Sequence, residues 1–403
     1  MIKATMMGLV LAMAAVATAQ AEPVTVKVWA LDEPTRITET FAREFEARNP
    51  DVKIDVKLVN FANIVNDAVR AAATGTAPDI TMIDNPEVAL FASHNILLDL
   101  TPLLAQSKVI DRNDFYPGPI ANSTWQGRIV AIPRGANTIA LYYNADLFKE
   151  VGLNPDQPPR TWAELYDAAR KLTDPAKHRY GLVFSAIASE EGTFQFLPWV
   201  QTAGADFDTL GSDGALRALQ FWQKLVDDKV ASPDVLVYRQ NDATGQFAAG
   251  NAAMSISGPW ELPTLQKDAH FTWRVALLPG ETATSPRASA LGEFANAIFK
   301  TSAHPAEAFR FLEYIYSQAA RNWNEFGMLP ANRSAAPQDP KWPDAYAVFV
   351  EQMKYARGRG PHPLWPQISK AIQTAIQSTL THQSDARTAL ATAQASIDKI
   401  LKK

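Results

Sequence analysis

The sequence predicts an α/β protein built as two lobes, and three observations carry that expectation. Short apolar strands alternate with amphipathic helices from residue 24 to the C-terminus. About 380 residues remain once the N-terminal segment is set aside, more than one ordinary core holds. No low-complexity linker and no internal repeat divides them, so the chain is expected to cross between the lobes more than once.

The chain opens with MIKATMMGLVLAMAAVATAQA, in which Lys3 precedes an apolar stretch and the small-x-small ending Ala19-Gln20-Ala21. That order predicts a secretory signal peptide, residues 1–21, cleaved after Ala21. Its apolar part falls short of the roughly 20 residues a membrane span needs. The sequence holds no cysteine, which excludes a lipid-anchored cysteine and any disulfide. The mature protein is therefore expected free in an exported compartment, most simply a periplasm. Without Lys3, 37 basic residues face 42 acidic ones, a net charge of −5. A mildly acidic chain without a basic run is not expected to bind nucleic acid.

Val24, Val26 and Val28 alternate with Thr25 and Lys27 in a first strand that ends at Trp29. The loop Ala30–Pro34 leads to a helix with Ile37, Phe41 and Phe45 at four-residue spacing, closed by Asn49-Pro50. Ile54, Val56 and Leu58 mark a second strand. A helix through Ile64, Ala68 and Ala72 stops at Gly75. Ile80, Met82 and Ile83 form a third strand that opens onto Asp84-Asn85-Pro86. This alternation argues for a parallel sheet flanked by helices. Strands are next expected over 128–132 and 138–143, and a capping box at Thr161 and Glu164 starts the helix TWAELYDAARKL. Further strands are expected over 180–185, 252–257 and 274–278. Helices are expected over 215–226, from Pro305 through Phe309, Leu312 and Ile315 to near Gly327, and finally along Leu390, Ala393, Ile397 and Leu401.

Most enzyme chemistry leaves no trace. The six histidines are scattered, with none three or four residues from another, so no local metal site is expected. GxSxG, a glycine loop ending in Lys-Ser/Thr, and GxGxxG after a strand are all missing. No cofactor is expected. A glycosidase needs only two carboxylates that converge in space, and Asp84 with Glu293 stands as such a pair.

What recurs instead is polar groups and tryptophans where strands end. Asp32 and Glu33 follow the first strand; Asp84 and Asn85 follow the third. The run Ala253–Ser257 stops at Gly258-Pro259 and delivers Trp260 onto the rim of a turn. A sugar ring stacks its C–H face on an aromatic platform while its hydroxyls need many hydrogen-bond partners. Ligand clefts of open α/β sheets form at the carboxyl ends of strands.

These segments, in order, resemble the extracellular solute-binding proteins of sugar ABC importers (family 1), the group that includes maltodextrin- and trehalose-binding proteins. The resemblance rests on Pro78-Asp79-Ile80, Gly127–Pro133, Asn137 before Leu141-Tyr142-Tyr143-Asn144, Thr161-Trp162, the stretch Phe247–Met254 leading to Gly258-Pro259-Trp260, and Leu329-Pro330-Ala331. It spans essentially the whole chain. It implies a type II periplasmic-binding fold with three hinge crossings, its first lobe taking residues 22–135 and 283–329, its second 136–282 and 330–403. It implies closure over a carbohydrate, delivery to permease subunits in the inner membrane, and a monomer without catalytic activity.

The resemblance also implies a site. Trp260 is similar to the stacking aromatic of the second lobe, and Asp32, Glu33 and Asp84 look like hydroxyl acceptors of the first. Asn137 stands where the family commonly has an aspartate. Glu293 resembles a hinge-side residue after the second crossing; Arg357, His362 and Trp365 fall where side chains often face the ligand. Phe61, Asn85 and Trp199 complete the candidate set. Several have a plainer reading beside them: Trp199 as core, Asp84 as a helix cap, Asp32 or Glu33 as solvent-facing, Arg357 as a surface or ion-pair residue, His362 as an ordinary loop residue, Trp260 as interlobe packing. Trp162 and Trp222 read as structural. Arg134, Arg357 and Arg359 leave open a second ligand class on the same fold, an anionic glycoside or glycerol phosphodiester.

Overall fold

The computed structural model describes residues 22–402; the expected signal peptide lies outside them. Two bodies are present, each with its own sheet. In the first, strands Val52–Val59, Val24–Leu31, Ile80–Asp84, Phe294–Ile298 and Ile132–Pro133 lie side by side in that order. Val24–Leu31 pairs in parallel with Val52–Val59 from Val24↔Val52 to Leu31↔Val59, and with Ile80–Asp84 on its other side. All five residues of Ile80–Asp84 are buried, which is why this central strand places apolar residues on both faces, Ile80 and Met82 on one and Ile83 on the other. Phe294–Ile298 pairs with it antiparallel, setting Phe294 opposite Asp84. Helices Ile37–Arg48 and Pro305–Ser317 cover one face, burying Phe41, Phe45, Phe311 and Leu312 together. Helix Phe61–Thr74 is capped by the Asn60 side chain and ends at Gly75, whose φ of +70° suits a left-handed C-cap.

The second body is dominated by helices around a small antiparallel sheet, in the order Met254–Ser257, Ala140–Asn144, Trp273–Ala276. Its core joins Trp222, Phe184, Phe196 and Tyr142 with the C-terminal helices Trp365–Leu380 and Ala386–Leu401. The capping box forms as expected: Thr161 Oγ1 accepts from Glu164 N at 3.2 Å, and Glu164 Oε2 accepts from Thr161 N at 3.2 Å.

Two expected strands take another form. Segment 180–185 makes only isolated bridges, because its amides alternate between two partners: Leu182 N donates to Val230 O and Val183 N to Met254 O. Segment 128–132 is cut in two. Arg128–Ile129 folds back on Thr124–Trp125 through Gln126-Gly127, both at positive φ, and Ile132–Pro133 then joins the large sheet.

The chain leaves the first sheet after Ile132–Pro133, builds the second body, and returns at Phe294–Ile298. It passes back after Ala331, which is buried in the first core, to supply Ala345 and Phe349 to the second. Ser289–Ala290, just before the return, pairs with Ala356–Arg357.

Candidate functional site

Where these crossings meet, a cavity of about 130 Å³ lies between the two bodies. The first body contributes Asp32, Glu33, Phe61, Asp84 and Arg134; the second contributes Glu191, Phe194, Arg239, Trp260 and Glu261. Glu293, Met328 and Arg359 come from the connecting segments.

Trp260 occupies the short 3₁₀ turn Pro259–Glu261 directly after strand Met254–Ser257. The proline presets the first helical position, and Tyr142 Oη donates to Gly258 O at 2.7 Å. The indole then lies back over Gly258, so closely that a Cβ there would sit 1.9 Å from a ring carbon. Its Nε1 donates to Glu261 Oε1 at 3.0 Å, which fixes the ring's orientation while the ring stays half-buried. On the far side of the turn Gly327, at φ +70°, comes so near that a Cβ would meet the Pro259 carbonyl at 2.2 Å.

Two buried arginines organise the polar wall. Arg134 bonds Glu33 at 2.8 Å and Glu293 at 2.8 Å. Burial disfavours its charge, but the two carboxylates outweigh that and hold its pKa above the ordinary value. Arg359 does the same between Asp84, at 3.0 Å, and Glu190, at 2.5 Å. Since Asp84 ends a strand of the first body and Glu190 starts helix Glu190–Thr202 of the second, this ion pair ties the lobes together. The Arg359 Nε is buried without an acceptor among the described residues.

Two further carboxylates have no arginine within ion-pair distance among the described residues, although Arg239 lies near Glu191. Glu191 accepts from Gln240 N at 2.6 Å through Oε2, and burial pushes its pKa up to about 7. Glu261 accepts from Trp260 and Ser257, yet burial pushes it up to about 8.

Among the sequence candidates, Asp32, Glu33, Phe61, Asp84, Trp260 and Glu293 reach the cavity. Asp32 stands at its solvent side, paired with Arg36 at 3.1 Å, and Phe61 meets Phe294 edge-on. Asn85 sits behind the wall, its Nδ2 donating to Leu291 O at 3.4 Å. Asn137 does not face the cavity either. It knits the three connecting segments, with Nδ2 donating to Glu293 Oε2 and Oδ1 accepting from Leu329 N at 3.1 Å. An aspartate there would set a second buried carboxylate against Glu293, which the amide avoids.

The remaining candidates lie elsewhere. Trp199 is core, packed against the stacked pair Trp162 and Phe221. Trp365 is fully buried and donates from Nε1 to Glu190 Oε1 at 3.1 Å, so it supports the wall from behind. Arg357 is exposed beside Asp206, and the His362 ring nitrogen accepts from Leu364 N at 3.1 Å in its own loop. Glu190, Glu191, Arg239 and Glu261 carry no mark in the sequence reading. Glu261 is adjacent to Trp260, which was a usable signal; Glu190-Glu191 after Ser189 resembles any acidic helix start. Among the described residues no cluster of His, Cys, Asp or Glu is arranged to hold a metal.

Comparison with known proteins agrees with this architecture. A putative binding protein of Brucella abortus is 25% identical over 374 residues, covering 91% of this chain and 90% of its own length. The sn-glycerol-3-phosphate-binding periplasmic protein UgpB of Escherichia coli is 25% identical over 356 residues, covering 82% and 79%. Among solved structures, an ABC transporter solute-binding protein from Thermotoga lettingae bound with alpha-D-tagatose superposes with TM-score 0.86 at 27% identity, over 94% of this chain and 100% of that one. Maltose-bound T. maritima MalE3 superposes with TM-score 0.85 at 26% identity, over 93% and 99%. The family model for bacterial extracellular solute-binding proteins matches residues 31–322. This chain, two lobes around a polar cleft, therefore belongs to the bacterial extracellular solute-binding proteins, the ligand-capturing components of ABC importers.

Proposed function

We propose that the chain captures a carbohydrate between its lobes, in a periplasm, and hands it unaltered to permease subunits of the inner membrane. One observation carries the choice of ligand class: each buried arginine of the cleft already serves two carboxylates, while Trp260 stands half-bare beside them. Polarised carboxylates accept hydroxyl donors and an indole face accepts C–H surface, which together suit a sugar. An anionic ligand needs guanidinium groups that are not already neutralised. The tagatose and maltose named for the two structures above favour the same class.

The resemblance to UgpB keeps the anionic reading as the second one. Against it, Arg134 and Arg359 are committed to carboxylates, and Arg357 lies outside the cleft. Against a glycosidase, Asp84 and Glu293 are each engaged by an arginine, which leaves neither carboxyl free to protonate a leaving group.

Residues Asp32, Glu33, Phe61, Asp84, Trp260 and Glu293 are proposed as ligand-facing. The lobes are proposed as 22–135 with 283–329 and 136–282 with 330–403, the pairing of Ser289–Ala290 with Ala356–Arg357 moving the second boundary toward residue 292. Export is proposed to leave Glu22 as the first residue of a monomer. Calorimetry with tagatose, maltose and sn-glycerol-3-phosphate tests the ligand class. A carbohydrate bound in the micromolar range, about −8 kcal/mol, and recovered intact is the expected result. Binding of sn-glycerol-3-phosphate alone overturns it.

A further inference from the structure

The cleft gathers more acidic side chains than its buried arginines can pair. Glu33, Glu293, Asp84 and Glu190 share two guanidinium groups, and Glu191 and Glu261 add two carboxylates with no ion-pair partner among the described residues. The nearby Arg239 turns to Asp242, at 3.3 Å. Both orphan carboxylates are more than nine-tenths buried, and both line the cavity. Each is held in place: Gln240 N fixes Glu191 Oε2, leaving Oε1 without a donor among the described residues, and the Trp260 indole fixes Glu261 Oε1.

Buried without a cation, both groups favour the neutral acid, and a cationic ligand group supplies the partner that would ionise them. An ammonium group answers all three surroundings at once. It donates to Glu191 Oε1, is attracted to Glu261, and is stabilised beside the Trp260 ring. We infer that the ligand is an amino glycoside in the chemical sense, a sugar bearing a protonated amine, whose amine is received by Glu191 and Glu261 next to Trp260. This inference rests on the carbohydrate reading and narrows it.

Calorimetry on the exported chain with three disaccharides of one skeleton tests it: a glucosamine disaccharide, its N-acetylated counterpart, and neutral cellobiose. The amine form is expected to bind about tenfold more tightly than either, as one charge-assisted hydrogen bond gives. Glu191→Gln and Glu261→Gln are each expected to shrink that ratio. Should either variant fail to fold, the wild-type ratio alone is decisive. Equal affinity for the amine and N-acetyl forms, or tighter binding of cellobiose, overturns the inference and leaves the carbohydrate reading standing. Failure of all three, of tagatose and of maltose, with sn-glycerol-3-phosphate bound, overturns both.

Discussion

Gly258 lacks a side chain because the indole of Trp260 fills the space one would take. Its φ of −101° is open to any residue, so the constraint is contact and not backbone conformation. Gly258→Ala is expected to swing the ring away, shifting tryptophan fluorescence and lowering ligand affinity about tenfold, with overpacking costing about 1–3 kcal/mol of stability. Trp260→Ala is expected to weaken binding by a similar factor through lost stacking, read by calorimetry; unchanged affinity removes Trp260 from the site. Glu191 and Glu261 make a second statement. Their pKa values in the folded chain, about 7 and about 8, lie above the ordinary 4.5 because burial favours the neutral acid. The folded state therefore holds more protons than the unfolded one between about pH 4.5 and 8, and stability falls as pH rises across that window. Glu261→Gln is expected to flatten the fall, measured as melting temperature against pH. Residues such as Trp260 and Asp84 could be read from the sequence because a turn or strand end marks them. Glu191 could not, since only burial separates it from a solvated glutamate.

Among elements, the tie Asp84–Arg359–Glu190 joins a strand end of the first body to a helix start of the second. Arg359→Met leaves two buried carboxylates without a cation. A loss of about 3–5 kcal/mol is expected, together with a larger radius of gyration in solution scattering; an unchanged radius would show that the pair does not hold the lobes. The strands that anchor this tie were legible because one-faced burial writes period two into Val24–Leu31, and two-faced burial puts Ile80, Met82 and Ile83 on both sides of Ile80–Asp84. Helix Glu190–Thr202 was not. Every residue from Glu191 to Thr202 is buried, so no polar stripe marks a 3.6-residue period, and Pro198 within it reads as a break. The strand expected over 180–185 failed for the opposite reason. Its apolar pattern is right, but its hydrogen bonds go to two separate neighbours.

On the scale of the whole molecule, the absence of a linker was informative: the lobes are joined by several short segments that Asn137 laces together. Asn137→Asp is expected to lower the melting temperature, most strongly at neutral pH, by opposing Glu293 with a like charge. What the sequence could not convey is how segments 135–137, 291–293 and 327–331 converge, since they are far apart along the chain. The contact between Gly327 and the Pro259 carbonyl belongs to this convergence. It makes the pedestal of the tryptophan bear directly on the joint. A guest that leans on the ring is expected to load the hinge at the same moment, so that rotation of the halves would follow occupancy without any relay between them.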